Sequence, residues 1–83
     1  MAQKFYIVQA GFLPVGASDV TGWPSHSFYS GRRAYDDAMA EYEKEVRKNL
    51  HPRRMFRVVC TEHCSRKDTY TYVCGFKSSA KTL

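Results

Sequence analysis

The sequence of 83 residues contains no long apolar run. Spanning a bilayer takes about 18 or more consecutive apolar residues, so we expect no transmembrane segment. The N-terminus leads into a short apolar stretch without a small-residue cleavage site, and we expect a cytoplasmic rather than a secreted protein. Hydrophobic residues still make up 43% of the chain and aromatic residues 14%. This composition predicts one folded domain over residues 1–83.

Cysteine is scarce, and its count is odd. With only Cys60, Cys64 and Cys74, any intramolecular disulfide would leave one thiol unpaired, and we expect reduced thiols. Zinc sites are commonly built from two closely spaced ligand pairs. Cys60 and Cys64, with His63 beside them, resemble one such pair, Cys74 stands alone, and a second pair is missing. A zinc-stabilised module is therefore a minor alternative.

A catalytic arrangement is also missing. Nucleophilic catalysis needs a nucleophile, a base within hydrogen-bond reach and a group that orients the base. His63 and Cys64 are adjacent, so on a strand their side chains point to opposite faces, and no acidic orienting residue is obvious. We expect the protein not to be an enzyme and to bind no cofactor.

Acidic residues are few in the C-terminal half, although the net charge of the chain is only +5. Residues 1–43 carry three basic and five acidic groups, whereas residues 44–83 carry ten basic and three acidic groups. A regional excess of cations is typical of a surface that meets an anionic partner.

Regular structure is predicted from the apolar pattern and the turn formers. Residues 4–10 are rich in β-branched and aromatic residues and predict a strand that stops at Gly11. Residues 11–27 are rich in Gly, Pro and Ser and predict a long loop, followed by a short strand at Phe28 and Tyr29.

The clearest predicted element is a helix, because residues 32–49 contain neither Gly nor Pro. Ser30 is the expected N-cap, and Pro52 should end the helix near Leu50 or His51. Apolar side chains at helical spacing predict one buried face, which comprises Tyr35, Ala38, Met39, Tyr42, Val46 and Leu50.

Residues 55–63 and 69–76 predict a hairpin around a turn at 65–68. A register with Cys60 opposite Cys74 assigns one face to the helix, comprising Phe56, Val58, Cys60, Tyr72, Cys74 and Phe76. The other face should be partly polar and accessible, with Arg57, Val59, Thr61, Thr71 and Val73. Residues 77–83 are expected to fray. The predicted class is α+β, one helix packed on a small, mostly antiparallel sheet in the order β-(β)-α-β-β.

The candidate binding surface is the densest group of cations, six Lys and Arg within fourteen residues. The helix dipole accounts in part for Arg47 and Lys48, but the arginines that follow Pro52 suit bidentate contact with phosphate or carboxylate. Trp23, at the tip of the predicted loop, is the candidate apolar anchor. The predicted surface comprises Lys44, Arg47, Lys48, Arg53, Arg54, Arg57 and Trp23, and the alternative is a solvated face.

The layout of residues 4–76, with one strand, a loop, one helix capped at a serine and a hairpin, resembles that of small single-domain bacteriophage proteins, which include host-takeover factors and anti-CRISPR proteins. The resemblance implies a non-enzymatic inhibitor in the host cytoplasm that docks on a nucleic-acid-processing complex.

Two questions stay open at this point. The same cations can instead bind DNA or RNA directly and without sequence preference, with affinity that falls steeply with salt. The chain can be a monomer or a homodimer, because a small sheet has edge strands that are able to pair.

Overall fold

The computed structural model describes residues 4–20, 23, 25–63, 66 and 69–76. Four strands form one antiparallel sheet in the order β2-β1-β3-β4, and one helix packs on it. The elements are β1 (Phe5–Phe12), β2 (Ser25–Ser30), α1 (Ala34–Lys48), β3 (Arg54–Thr61) and β4 (Thr71–Gly75). This arrangement confirms the predicted α+β class. No helix in the described ranges is long and apolar enough to cross a membrane.

The core lies between α1 and the two central strands. Val8, Ala38 and Val58 are fully buried, one each from β1, α1 and β3. Met39 and Tyr42 of the helix pack against them, as the helical spacing of the sequence predicts.

β1 does not stop at Gly11, as the sequence predicts, but continues to Phe12. Gly11 pairs with Met55, and Phe12 pairs with Arg54. A Cβ atom at Gly11 would lie only 2.5 Å from Cγ1 of Val20. The glycine is thus a site of close approach within a strand, where the following loop packs directly on the backbone.

β2 is longer than the predicted strand at Phe28 and Tyr29, because it begins at Ser25. It pairs antiparallel with β1, and the register shifts between Val8 and Gln9. The predicted loop is correspondingly shorter, and its residues 21, 22 and 24 lie outside the described ranges.

The prediction of Ser30 as the helix N-cap is wrong, since Ser30 is the last residue of β2 and pairs with Phe5. Gly31, at φ +95°, turns the chain, and Arg33 occupies the N-cap position without a side-chain hydrogen bond. The N–H of Ala34 donates to the carbonyl of Gly31 at 3.2 Å instead. A backbone turn therefore starts the helix.

The helix ends at Lys48, before Leu50, because Asn49 adopts an extended conformation with ψ 128°. Tyr35, Val46 and Leu50 belong to the predicted apolar face, yet all three are exposed. The ring of Tyr35 contacts that of Tyr6 edge-on. The buried face therefore covers the first part of the helix, through Ala34, Ala38, Met39 and Tyr42.

The predicted register of the hairpin is also wrong. Cys74 lies opposite Val58, and Cys60 lies opposite Thr71, because an irregularity between Val58 and Val59 shifts the pairing. As a consequence Tyr72 is exposed. Val73 packs against the core instead. The turn at 65–68, apart from residue 66, and the tail at 77–83 lie outside the described ranges.

The sheet face opposite the helix is not the accessible surface that the sequence predicts. Val59 and Thr61 are buried there, together with Ile7 and Gln9 of β1. The loop after β1 packs on this side, with Val20 buried against Gly11. Both faces of the sheet are thus partly covered, one by the helix and one by the loop.

Candidate functional site

A groove of about 430 Å³ opens where the end of α1 meets the end of β1 and the start of β3. Both apolar and charged side chains line this groove. The lining residues are Phe12, Glu45, Lys48, Asn49, Leu50, His51, Arg54 and Phe56.

Local hydrogen bonds shape the chain at the mouth of this groove. The side-chain amide of Asn49 donates to the carbonyl of His51 at 2.9 Å, and the N–H of His51 donates to Oδ1 of Asn49 at 3.2 Å. The N–H of Arg53 donates to Nδ1 of His51 at 3.2 Å. The imidazole also meets the ring of Phe12 edge-on, with centroids 5.0 Å apart. This turn therefore holds Leu50 outside the helix.

Two large apolar side chains of the groove face solvent. Leu50 is 94% exposed and Phe12 is 54% exposed. A single exposed leucine is ordinary, but apolar side chains gathered in a groove beside cations are typical of binding sites. Sequence reasoning missed both residues. The helical spacing assigned Leu50 to the buried face, and Phe12 fell in the loop predicted over residues 11–27. Asn49 and Pro52 on either side of Leu50 are the signal of a helix that has already ended.

Arg54 lies at the apolar wall of the groove. Its guanidinium carbon is 5.2 Å from the ring centroid of Phe56 and 5.8 Å from that of Phe12. The Nε atom is buried and has no hydrogen-bond partner among the described residues. A buried donor without a partner costs about 1–3 kcal/mol, so this atom is poised to gain from an acceptor.

The helix supplies both lysines of the predicted surface, Lys44 and Lys48, and one of its arginines, Arg47. Nζ of Lys44 lies 3.3 Å from Oε1 of Glu41, and Nζ of Lys48 lies 3.5 Å from Oε2 of Glu45. Both lysines are exposed, as is Arg47. Exposed pairs of this kind contribute about 0–1 kcal/mol, so the ammonium groups stay accessible to a partner.

Arg53 mainly holds the loop that follows β1. Its Nε donates to the carbonyl of Leu13 and its Nη2 to the carbonyl of Pro14, both at 2.8 Å. The N–H of Leu13 in turn donates to the carbonyl of Arg53 at 2.8 Å. The structure thus places Arg53 beside Arg54 in the chain but engages its guanidinium within the fold.

Arg57 and Trp23 lie together, on the sheet face opposite the groove. Nε of Arg57 donates to Oε1 of Gln9 at 2.7 Å, and its guanidinium carbon lies 4.3 Å from the ring centroid of Trp23. Burial lowers the pKa of Arg57, and the charge of Asp19 acts in the opposite direction. Trp23 also contacts the ring of Phe76, with centroids 5.9 Å apart. The structure therefore separates these two residues from Arg54 and from the helix cations of the predicted surface.

The described candidate zinc ligands do not share one site. Cys60 and His63 line a second groove, of about 330 Å³, at the other end of β3. The thiol of Cys74 instead lies 3.5 Å from Sδ of Met39, and burial together with Glu43 raises the pKa of Cys74. Cys64 lies outside the described ranges. Within those ranges no three His, Cys, Asp or Glu side chains are placed to hold a metal ion.

Comparisons with known proteins found no family model, no curated protein and no solved structure that matches this chain. The residues and their geometry therefore carry the functional interpretation. They define the class as an α+β domain with an apolar groove bordered by cations.

Proposed function

We propose that this chain is a non-enzymatic binding protein, and that the groove and the cations beside it bind an acidic surface of a partner protein. The observation that carries the proposal is the exposure of Leu50 and Phe12 in the same groove as Arg54. Arginine is enriched among the residues that carry most of the binding energy in protein interfaces, where it lies in well-packed, desolvated pockets.

The apolar part of the site supplies affinity. Covering a leucine side chain contributes about 1.5–3 kcal/mol when the side chain passes from water to an apolar environment. Leu50 is almost fully exposed in the free protein, so nearly all of its surface is available for such a gain. This role replaces the one that the sequence assigns to Trp23, which is already packed on Arg57.

The charged part supplies orientation and rate. Lys44, Arg47 and Lys48 lie on the helix end that borders the groove, and cations around a binding site speed the encounter with an acidic partner. Salt should therefore slow association, with a smaller effect on the lifetime of the complex.

The resemblance in layout to small phage inhibitors adds a finer hypothesis, in which the acidic partner belongs to a nucleic-acid-processing complex of a host cell. The support for this part is the layout of residues 4–76 and the cationic helix end. Direct binding of DNA or RNA is the alternative, and it would use the cations without Leu50.

The test compares acidic peptides with nucleic acids by fluorescence anisotropy. The peptides carry Asp and Glu around a central leucine, and the nucleic acids are short single and double strands of DNA and RNA. We expect the peptides to bind, and we expect Leu50→Ser to weaken that binding by about tenfold. Val15→Ser is the matched control, because Val15 is 85% exposed but does not line the groove.

Two results would contradict the proposal. One is equal loss of peptide binding in Leu50→Ser and Val15→Ser. The other is tight binding of DNA or RNA with a steep salt dependence that Leu50→Ser leaves unchanged, which would establish the alternative.

A further inference from the structure

The groove contains a donor that the fold leaves without a partner. Buried polar atoms are paired in more than about 90% of cases in folded proteins, whereas Nε of Arg54 is buried and has no partner among the described residues. Arg54 itself lines the groove. An acceptor that enters the groove therefore lies beside the guanidinium, and a small movement of the side chain would bring Nε to it.

The carboxylate that the chain itself places in the groove is engaged elsewhere. Glu45 lines the same groove, and its Oε2 lies 3.5 Å from Nζ of Lys48. The side chain of Lys48 remains exposed. The pair therefore neutralises one cation of the groove and leaves Arg54 for an external anion.

The setting of Arg54 favours a strong interaction with such an anion. The rings of Phe12 and Phe56 lie beside its guanidinium, which limits the water around it. An arginine held in this way loses little conformational freedom when its parallel N–H groups meet a carboxylate. A charge-assisted hydrogen bond is also stronger where water is excluded.

The apolar residues of the groove favour a carboxylate carried by a protein segment over a phosphate. Leu50 and Phe12 offer apolar contact directly beside the arginine. A phosphate brings no apolar group to that position, whereas an Asp or Glu side chain can have an apolar neighbour in the same peptide. The ligand that satisfies both features is a carboxylate next to an apolar side chain.

We infer that the groove binds an Asp or Glu side chain of a peptide segment, with the carboxylate on Arg54 and a neighbouring apolar side chain against Leu50 and Phe12. This inference rests on the proposed function, because it names the part of an acidic partner that enters the groove.

Heteronuclear NMR of the isotope-labelled full chain tests it, with the Arg54 Nε–H signal and the Leu50 amide as reporters. The probes are acetyl-leucyl-aspartyl amide and the isosteric acetyl-leucyl-asparaginyl amide, which lacks the charge. We expect the aspartyl peptide to shift both signals and to bind about tenfold more tightly than the asparaginyl peptide.

An arginine-specific contact is tested by Arg54→Lys, which keeps the charge but removes the Nε donor. We expect this variant to lose the preference for the aspartyl peptide, and Arg33→Lys, at an exposed position outside the groove, to keep it. If Arg54→Lys fails to fold, the Arg54 Nε–H signal of the unmodified protein tests the contact instead, and we expect it to shift more with the aspartyl peptide than with the asparaginyl peptide.

Three results would overturn the inference. They are equal binding of the two peptides, an Arg54 signal that moves as far with inorganic phosphate as with the aspartyl peptide, and tighter binding of acetyl-leucine, whose carboxylate is terminal. If larger acidic peptides still bind through Leu50 while the Arg54 signal stays unmoved, the carboxylate position is wrong and the proposed function stands.

Discussion

Arg54 and Arg57 lie on the same strand, and both guanidinium groups stack on aromatic rings. Their surroundings nevertheless differ. Arg57 donates to Gln9 beneath Trp23, whereas Nε of Arg54 has no partner among the described residues and lies beside an open groove. The odd spacing between them places their side chains on opposite faces of the sheet. Two identical side chains thus have different roles because the loop covers one face and the helix end leaves the other open.

The largest effect is expected from Gly75→Ala, at the residue paired with Arg57. Gly75 has φ +100°, and a Cβ there would lie 2.5 Å from the carbonyl oxygen of Phe56 and 2.6 Å from Cα of Arg57. Since both contacts are with backbone, we expect a loss of about 3 kcal/mol or more in the free energy of unfolding. Chemical denaturation measures this loss.

Gly16→Ala is the matched control for that substitution. Gly16 also has positive φ, at +83°, but a Cβ there would lie more than 4 Å from every described residue apart from its chain neighbours. We therefore expect a loss of only about 1 kcal/mol from backbone strain. Equal losses in the two variants would show that the packing around Arg57 is not tight.

A direct comparison of the two arginines is expected to give the next largest effect. Arg57→Ala removes the partner of the buried Gln9 and should cost about 2 kcal/mol of folding stability. Arg54→Ala removes a side chain that donates no hydrogen bond through Nε and should cost less than about 1 kcal/mol. Thermal or chemical denaturation of the two variants side by side checks the difference, and a larger loss for Arg54→Ala would reverse the comparison.

The loop after β1 packs on the sheet face that carries Arg57, and this packing can be tested at Gly11. A Cβ there would lie 2.5 Å from Cγ1 of Val20. We expect Gly11→Ala to cost about 1.5 kcal/mol by overpacking. In a Val20→Ala background the clash is removed, so the added cost should fall below about 0.5 kcal/mol. Additive losses in this double-mutant cycle would mean that the loop does not pack on β1 as described.

The smallest expected effect is a pH dependence on the helix side of the sheet. Burial raises the pKa of Cys74 above its ordinary 9.0 and also raises the pKa of Tyr42 above its ordinary 10.0. The folded state therefore holds these protons more tightly than the unfolded state does. The stabilisation of the folded state by these two protonated groups is fully present below about pH 9. It is lost as the pH rises through the folded pKa values, so the free energy of unfolding should fall over that range.

Denaturation curves measured between neutral pH and about pH 10.5 test this dependence. Cys74→Ala should give a shallower decline than the unmodified chain, because one of the two groups is gone. A free energy of unfolding that rises over this range would contradict the assignment.

The sequence predicted the elements better than their contacts. The apolar and turn-forming patterns found the helix, the strands and the α+β order, since these depend on local periodicity. The hairpin register and the start of the helix depend on tertiary detail, so Ser30 and Cys60 were misplaced. The charge pattern found Arg54 but grouped it with Arg57, because composition does not reveal which face a loop will cover. Leu50 was missed as a surface residue because the helix ends before its apolar spacing does.

The strand order has a consequence for how the chain folds. β1 is central although it comes first in the sequence, and its second neighbour is β3, with Phe5 paired to Thr61. Such distant pairing slows folding, because a long loop must close before the contact forms. During synthesis β1 has only β2 as a partner until β3 leaves the ribosome. For that interval one edge of the future central strand is open to pairing with other chains.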